Sequence, residues 1–205
     1  MSARARDVAP RRANARSRAF PREVRIIGGV WKRSRLPVAD RPGLRPTPDR
    51  VRETLFNWLG RTLEGWCCVD AFAGSGALGF EAASRGAAEV VLLERDAALV
   101  ASLAAVQERL DAQNVRVERA DALQWLARAP LASVDLVFLD PPFESDLLAP
   151  ALAAAAAVVR DGGFVYVEAP AAVGGDAAAA RGLAVHRAAR AGSVHYQLLR
   201  RTTAA

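Results

Sequence analysis

Four consecutive residues, Asp140-Pro141-Pro142-Phe143, close the apolar run "VDLVFL" at 134–139, which reads as a buried strand. A carboxylate, two prolines and an aromatic are poor core material. Their chemistry suits a different task. An exocyclic amine on a base is a weak nucleophile, because its lone pair is delocalised into the ring. Two fixed acceptors that take its hydrogens turn the lone pair toward an electrophile. The Asp140 side chain offers one acceptor and the Pro141 carbonyl the other, with consecutive prolines holding the backbone stiff. Phe143 offers a stacking face for a base flipped out of its helix. The competing reading of the same residues is a Pro-Pro turn with a capping Asp.

A second constellation lies upstream. In "DAFAGSGALG" (70–79), Gly74, Gly76 and Gly79 fit G-x-G-x-x-G, the spacing that lets a backbone approach a ligand and a helix pack on a sheet. Alone, such glycines often mark only a tight turn. The next strand ends in an acid, Glu94, able to take two ribose hydroxyls, and Asp121 follows the third strand, within reach of an adenine edge. Two cofactors fit that crevice, NAD(P) and S-adenosylmethionine. Asp70 stands at the loop's entrance, where a carboxylate repels a pyrophosphate and attracts sulfonium and ammonium charge. The residues therefore favour the methyl donor, and in-line methyl transfer needs no metal.

These side chains require strand ends to carry them, and the patterning supplies strands. From residue 67 the chain alternates strand, glycine turn and helix. Strands are predicted at "CCVDAF" (67–72), "EVVLLE" (89–94), "VRVER" (115–119), "VDLVFL" and "FVYVE" (164–168). Helices are predicted from the glycine loop to about Gly86, from the Asp96 cap to about Leu110, over 122–129 and over 147–160. Alternation of this kind means a parallel sheet with helices on both faces. "LAVHRAA" and "SVHYQLLRR", joined by "RAG", predict a final hairpin that adds an antiparallel strand at one edge. Before residue 67, "VRIIGGVWKRSRL" (24–36) predicts two short strands about a glycine turn. Thr47 and Pro48 predict a capped helix burying Val51, Leu55, Trp58 and Leu59.

Length and charge bound the partners. The 205 residues, 52% hydrophobic, suffice for one well-buried domain. Residues 1–61 carry 16 Lys+Arg against 5 Asp+Glu, and 62–205 carry 12 against 17, a basic front on an acidic body. That asymmetry points to a polyanion, with nucleic acid favoured over membrane because no amphipathic lipid-facing helix accompanies the charge. Residues 1–20 read as a basic, disordered arm. They share Arg, Ser and Ala enrichment with mitochondrial presequences, but Pro10 and the lack of an apolar stripe weaken that reading. Adjacent Cys67 and Cys68 point to opposite faces of a strand and suit a reduced cytoplasm. His186 and His195 lack metal-ligand spacing, and no metal is expected.

With those residues in place, the sequence resembles the bacterial 16S ribosomal RNA guanine-N2 methyltransferases, of the class I S-adenosylmethionine-dependent fold. The resemblance rests on "RIIGGVWKRSRLPV", "RPTPDRVRETLFNWL", "DAFAGSGALGFEAASRGA", "LLERD" and "VFLDPPF", and spans about Arg25 to Arg201. It implies an α/β, Rossmann-like, seven-stranded mostly parallel sheet with an antiparallel C-terminal hairpin and a small N-terminal β-hairpin extension. The arm would be 1–20, the extension and loop 21–46, and the methyltransferase domain 47–205. Asp70, Phe72, Gly74, Ser75 and Gly76 would hold the methionine side of S-adenosylmethionine, with Gly79 also binding the cofactor and S-adenosylhomocysteine as product. Glu94 would serve the ribose and Asp121 the adenine side, with Arg95 and Ala122 also binding the cofactor. Asp140, Pro141, Pro142 and Phe143 would form the catalytic loop. Arg25, Trp31, Lys32, Arg33, Arg45, Thr47, Arg50 and Arg52 would face RNA. The implied partner is 16S rRNA or the small-subunit particle, met in the cytoplasm by a monomer that binds no membrane. Two other readings stay open: the same chemistry on DNA adenine or a protein glutamine, and a non-catalytic RNA-binding assembly factor. The intact Asp140–Phe143 loop argues against the second.

Overall fold

The computed structural model describes residues 22–39 and 47–203. Arg45 and the arm at 1–20 lie outside them. A small antiparallel pair, β1 (Glu23–Arg25) and β2 (Arg35–Pro37), precedes α1 (Asp49–Trp58). The body then runs β3 (Cys67–Asp70), α2 (Ala77–Ser84), β4 (Glu89–Glu94), α3 (Ala97–Arg109), β5 (Val115–Arg119), α4 (Ala122–Leu126) and β6 (Val134–Leu139). It ends with α5 (Leu148–Val158), β7 (Val159–Ala169), α6 (Gly175–Ala179), β8 (Leu183–Ala191) and β9 (Val194–Arg201). The seven-stranded sheet has the order β5-β4-β3-β6-β7-β9-β8. Only its last two pairings, β7 with β9 and β9 with β8, are antiparallel. The strand order reverses between β3 and β6. In an open parallel sheet the crevice at the carboxyl ends of such strands is where ligands bind.

Register sorts the side chains onto two faces, because neighbours in register point the same way and alternate residues point oppositely. Asp70 lies opposite Leu92 and Phe138, and Phe138 opposite Tyr166. With Cys68, Leu136 and Leu198 these line one face, under α1, α2, α3 and the β1–β2 hairpin. Val69, Val91, Val137, Leu139, Val165, Val167 and Leu199 line the other, under the alanine-rich α5 and parts of α4 and α6.

Several local expectations need correction. The first strand stops at Asp70, so Ala71 and Phe72 already belong to the turn. Strand β7 begins at Val159 rather than after Gly162-Gly163, because Val134 pairs Val159 before a register shift and the glycines sit within the strand. The C-terminal hairpin adds two strands, with β9 inserted between β7 and β8. Helix α4 ends at Leu126, and α6 had no signal in the sequence pattern. In α1 the buried face is Val51, Arg52, Leu55 and Phe56, while Trp58 is half-buried and stacks on Tyr196 at 5.4 Å.

The β1–β2 hairpin is held to helix α2 by buried polar groups. The Glu81 carboxylate, fully buried, accepts from Ile27 N at 2.7 Å and Gly28 N at 2.8 Å, and pairs with Arg85 at 2.7 Å and Arg52 at 3.4 Å. Ser84 Oγ accepts from Trp31 N and donates to the Gly28 carbonyl. Gly29, at φ +75°, passes so close that a Cβ there would lie 1.8 Å from the Ser84 carbonyl oxygen. No other residue fits that contact.

Candidate active site

A cleft of about 910 Å³ opens at the carboxyl ends of β3, β4, β5, β6 and β7. Asp70, Phe72, Gly74 and Ser75 form one wall, Glu94, Arg95, Asp121 and Ala122 the floor toward β5, and Asp140 to Glu144 the opposite wall. The sequence thus brings its donor-side residues and its Asp140–Phe143 loop to one cavity, from strand ends far apart in the chain.

Each acid has a distinct setting. Asp70 is buried, and Oδ2 accepts from Gly79 N at 3.0 Å. Burial pushes its carboxyl up to about 7, with the nearby Glu94 and Glu168 charges adding, against hydrogen bonds from the Gly79 and Phe72 amides. Glu94 clamps the glycine loop to its strand: Oε2 accepts from Gly74 N at 3.1 Å, and Oε1 from Arg95 N at 2.7 Å and Asp96 N at 2.9 Å. Asp121 caps α4 through Gln124 N at 3.0 Å and keeps its other oxygen 3.5 Å from Arg95 Nη1. Asp96 caps α3 as its sequence position predicts, accepting from Ala98 N and Leu99 N.

Asp140 accepts no hydrogen bond from any described residue. Burial raises its carboxyl well above the ordinary range, and the Glu168 and Asp70 charges raise it further. The loop behind it is pinned by Ser145, whose backbone N–H at 3.0 Å and hydroxyl at 2.5 Å both donate to the Pro142 carbonyl. No described residue donates to the Pro141 carbonyl. Phe143 is 43% exposed, an aromatic face standing free at the cleft's lip.

Three residues expected at the site do other work. Gly76 and Gly79 do not line the cleft. Gly76 supports the loop from below, where a Cβ would strike Phe80 and Leu103. At Gly79 a Cβ would lie 2.1 Å from Leu92, so this glycine lets α2 press onto β4. Arg52, expected to face RNA, is fully buried: it donates to the Thr47 carbonyl at 3.2 Å and pairs with Asp49 at 2.7 Å and Glu81. A guanidinium with no exposed surface, held by three partners, cannot reach a phosphate. Thr47 does line the cleft, but its hydroxyl does not cap α1; it donates to Glu168 Oε1 at 2.8 Å. Among the other expected RNA contacts, Arg25, Lys32, Arg33 and Arg50 are exposed, whereas Trp31 is half-buried against the core.

Sequence reasoning missed Glu168, Tyr166 and the β8–β9 turn, Ala191 to Val194, all but Tyr166 lining the cleft. Glu168 is the last residue but one of β7 and closes the predicted strand "FVYVE" as Glu94 closes "EVVLLE", so the rule that singled out Glu94 applied to it equally.

The family described as conserved hypothetical protein 95 matches residues 24–200. Ribosomal RNA small subunit methyltransferase D of Escherichia coli K12 is 44% identical over 185 residues, covering 87% of this chain and 90% of that protein. The chain belongs to this family. Another member, ribosomal RNA small subunit methyltransferase D of Haemophilus influenzae, is 45% identical over 128 residues, 61% of this chain and 66% of its own length. The solved structure of the Escherichia coli protein yhhF superposes with a TM-score of 0.76 at 38% identity, covering 88% of this chain and 98% of that one. A solved Haemophilus influenzae protein gives 0.73 at 32% identity, covering 88% and 99%. The family's shared length takes in both the cleft and the β1–β2 hairpin.

Proposed function

We propose that this chain methylates the exocyclic N2 amine of a guanine in small-subunit (16S) ribosomal RNA, with S-adenosylmethionine as donor, in the cytoplasm. The observation that carries the reading is Asp140: a half-buried carboxylate without a protein partner, beside a free carbonyl and an exposed aromatic, at the switch point of the sheet. The names of the relatives support RNA of the small subunit as the substrate class.

The residues present fit the donor. Glu94 and Asp121 place carboxylates at one end of the cleft, and Asp70, its carboxyl raised to about 7, ionises readily beside a bound cation; the set suits a cation bearing ribose hydroxyls and opposes the pyrophosphate of NAD(P). When bound, S-adenosylmethionine supplies an electrophilic methyl on a positively charged sulfur. Asp70 would offset that charge, Glu94 would receive the ribose hydroxyls, and Asp121 would meet the adenine. Asp140, once ionised, and the Pro141 carbonyl accept the two amine hydrogens and so aim the nitrogen lone pair. Phe143 stacks on the base. Proximity and alignment supply most of the rate.

The test is transfer of labelled methyl groups from the donor, by the purified protein, to small-subunit RNA, small-subunit particles, DNA and protein, with mass mapping of the modified nucleotide. The expected product is N2-methylguanine in the small-subunit RNA. Label confined to DNA adenine or to protein glutamine would overturn the reading.

A further inference from the structure

Glu168, the last residue but one of β7, is buried, 4% exposed, yet it lines the cleft. Its two oxygens are treated differently. Oε1 accepts from the Thr47 hydroxyl at 2.8 Å and from the Tyr166 hydroxyl at 2.9 Å. Oε2 has no hydrogen-bond partner among the described residues, and it is not sealed in the core. Two donors on one oxygen fix the carboxylate plane and leave the other oxygen as a rigid acceptor. Open to the cleft and without a protein donor, Oε2 is placed to accept from a ligand N–H.

Its neighbour makes the pattern specific. Leu139 pairs with Val167 across β6 and β7, so Asp140 and Glu168 follow as the next facing residues. Adjacent strands stand about 4.8 Å apart. The cleft therefore presents two carboxylates side by side, one fixed and one free. That pair suits a base edge on which a ring N–H stands next to an exocyclic amine. Guanine has such an edge, N1–H beside the N2 amine. Adenine sets an unprotonated N1 beside its amine, and a carboxylate there would oppose lone pair to lone pair.

We propose that Glu168 Oε2 accepts the N1–H of the target guanine while Asp140 holds its amine, which makes Glu168 the residue that selects guanine, with Thr47 and Tyr166 as its positioning residues. The inference rests on the proposed function, since it names how that site chooses its base.

The experiment uses a synthetic RNA fragment of the small-subunit target carrying either the natural guanine or 2-aminopurine, which keeps the 2-amine but has an unprotonated N1. Wild-type kcat/KM is expected to favour guanine by about 10- to 100-fold, the worth of one charge-assisted hydrogen bond. Glu168→Gln keeps an oxygen for Thr47 and Tyr166 and places an amide N–H where Oε2 stood. It should lose guanine activity by a similar factor and hold or gain on 2-aminopurine, so that the preference collapses or inverts while donor affinity stays within about twofold. Should that variant fail to fold, Glu168→Asp, which withdraws the carboxylate by one methylene, must likewise narrow the preference. A wild-type enzyme indifferent to the two bases overturns the inference, as does a variant slowed equally on both, the signature of a purely structural carboxylate. If wild-type protein methylates neither the fragment nor whole small-subunit RNA, the ribosomal RNA reading itself falls, and the assignment of Glu168 with it.

Discussion

The two faces of the sheet are built from different materials. The buried face under α5 is mostly aliphatic and alanine: Val137, Leu139, Val165, Val167 and Leu199 meet Ala151, Leu152, Ala155 and Ala156, and the neutral amide of Gln197 is its buried polar side chain among the described residues. The face under α1 and α2 mixes Phe56, Phe80, Phe138 and Tyr166 with buried Thr47, Arg52, Asp70, Glu81 and Glu168. An aliphatic core gains stability from burial alone. A core holding charges must satisfy each one, or lose several kcal/mol. Stability and chemistry thus reside on opposite faces: one is an anchor, and the other accepts the strain of uncompensated carboxylates because the cleft requires them.

The sharpest way to break that contrast is Glu81→Ala. It strands Arg52 and Arg85 and removes the acceptor of two hairpin amides, and we expect a loss of about 3–5 kcal/mol in denaturant unfolding. An unchanged midpoint would show that the network is dispensable. On the opposite face, Leu199→Ala should cost about 2–4 kcal/mol of stability through its cavity. It should leave donor affinity and the methylation rate of the folded protein as they were, and a slowed reaction in folded protein would end the division of labour. Asp140→Ala should reverse the outcome: stability equal or higher, with single-turnover methyl transfer slowed about 10- to 100-fold. Wild-type rates in that variant would make the Asp140–Phe143 loop a mere turn.

Much of this was readable beforehand, and the reason is physical. Strand ends, glycine turns and the Asp96 cap are local signals, so the order of elements and the donor-side acids followed from spacing. What escaped depended on distant partners. Thr47 has the residue type and position of a helix cap, yet Glu168, 121 residues on, takes its hydroxyl. Arg52 looks like any surface cation of an amphipathic helix until the buried Glu81, 29 residues on, draws it inward. No periodicity in one segment records the counter-charge that another will supply.

A smaller effect separates the faces by pH. Asp70 titrates at about 7 instead of near 4, so the folded state holds a proton there that the unfolded chain releases. Stability should fall as pH rises from about 4 to 7, by at most about 1.4 kcal/mol per pH unit from this group, and level off above. Asp140 and Glu168, also raised, act in the same direction. Methyl transfer should run the other way, rising with pH as Asp140 ionises. Thermal melts of Asp70→Asn should show a shallower slope, and an identical slope would remove Asp70 as the source. The smallest expected effect lies outside both faces: deleting residues 1–20, with 6 Arg and 1 Asp, should weaken RNA binding modestly and flatten its salt dependence. An unaltered slope of affinity against salt would mean that the arm touches no phosphate.

The placement of β9 has a consequence for how the molecule comes into being. Synthesis delivers β8 before β9, but β8 has no neighbour in the sheet until β9 slots between it and β7. The turn joining them also supplies Ala191 to Val194 to the cleft. A nascent chain therefore carries an open edge at β7 and an unfinished pocket until β9 has left the ribosome. Closure of this edge of the sheet and completion of the cleft are one event, set by the arrival of β9.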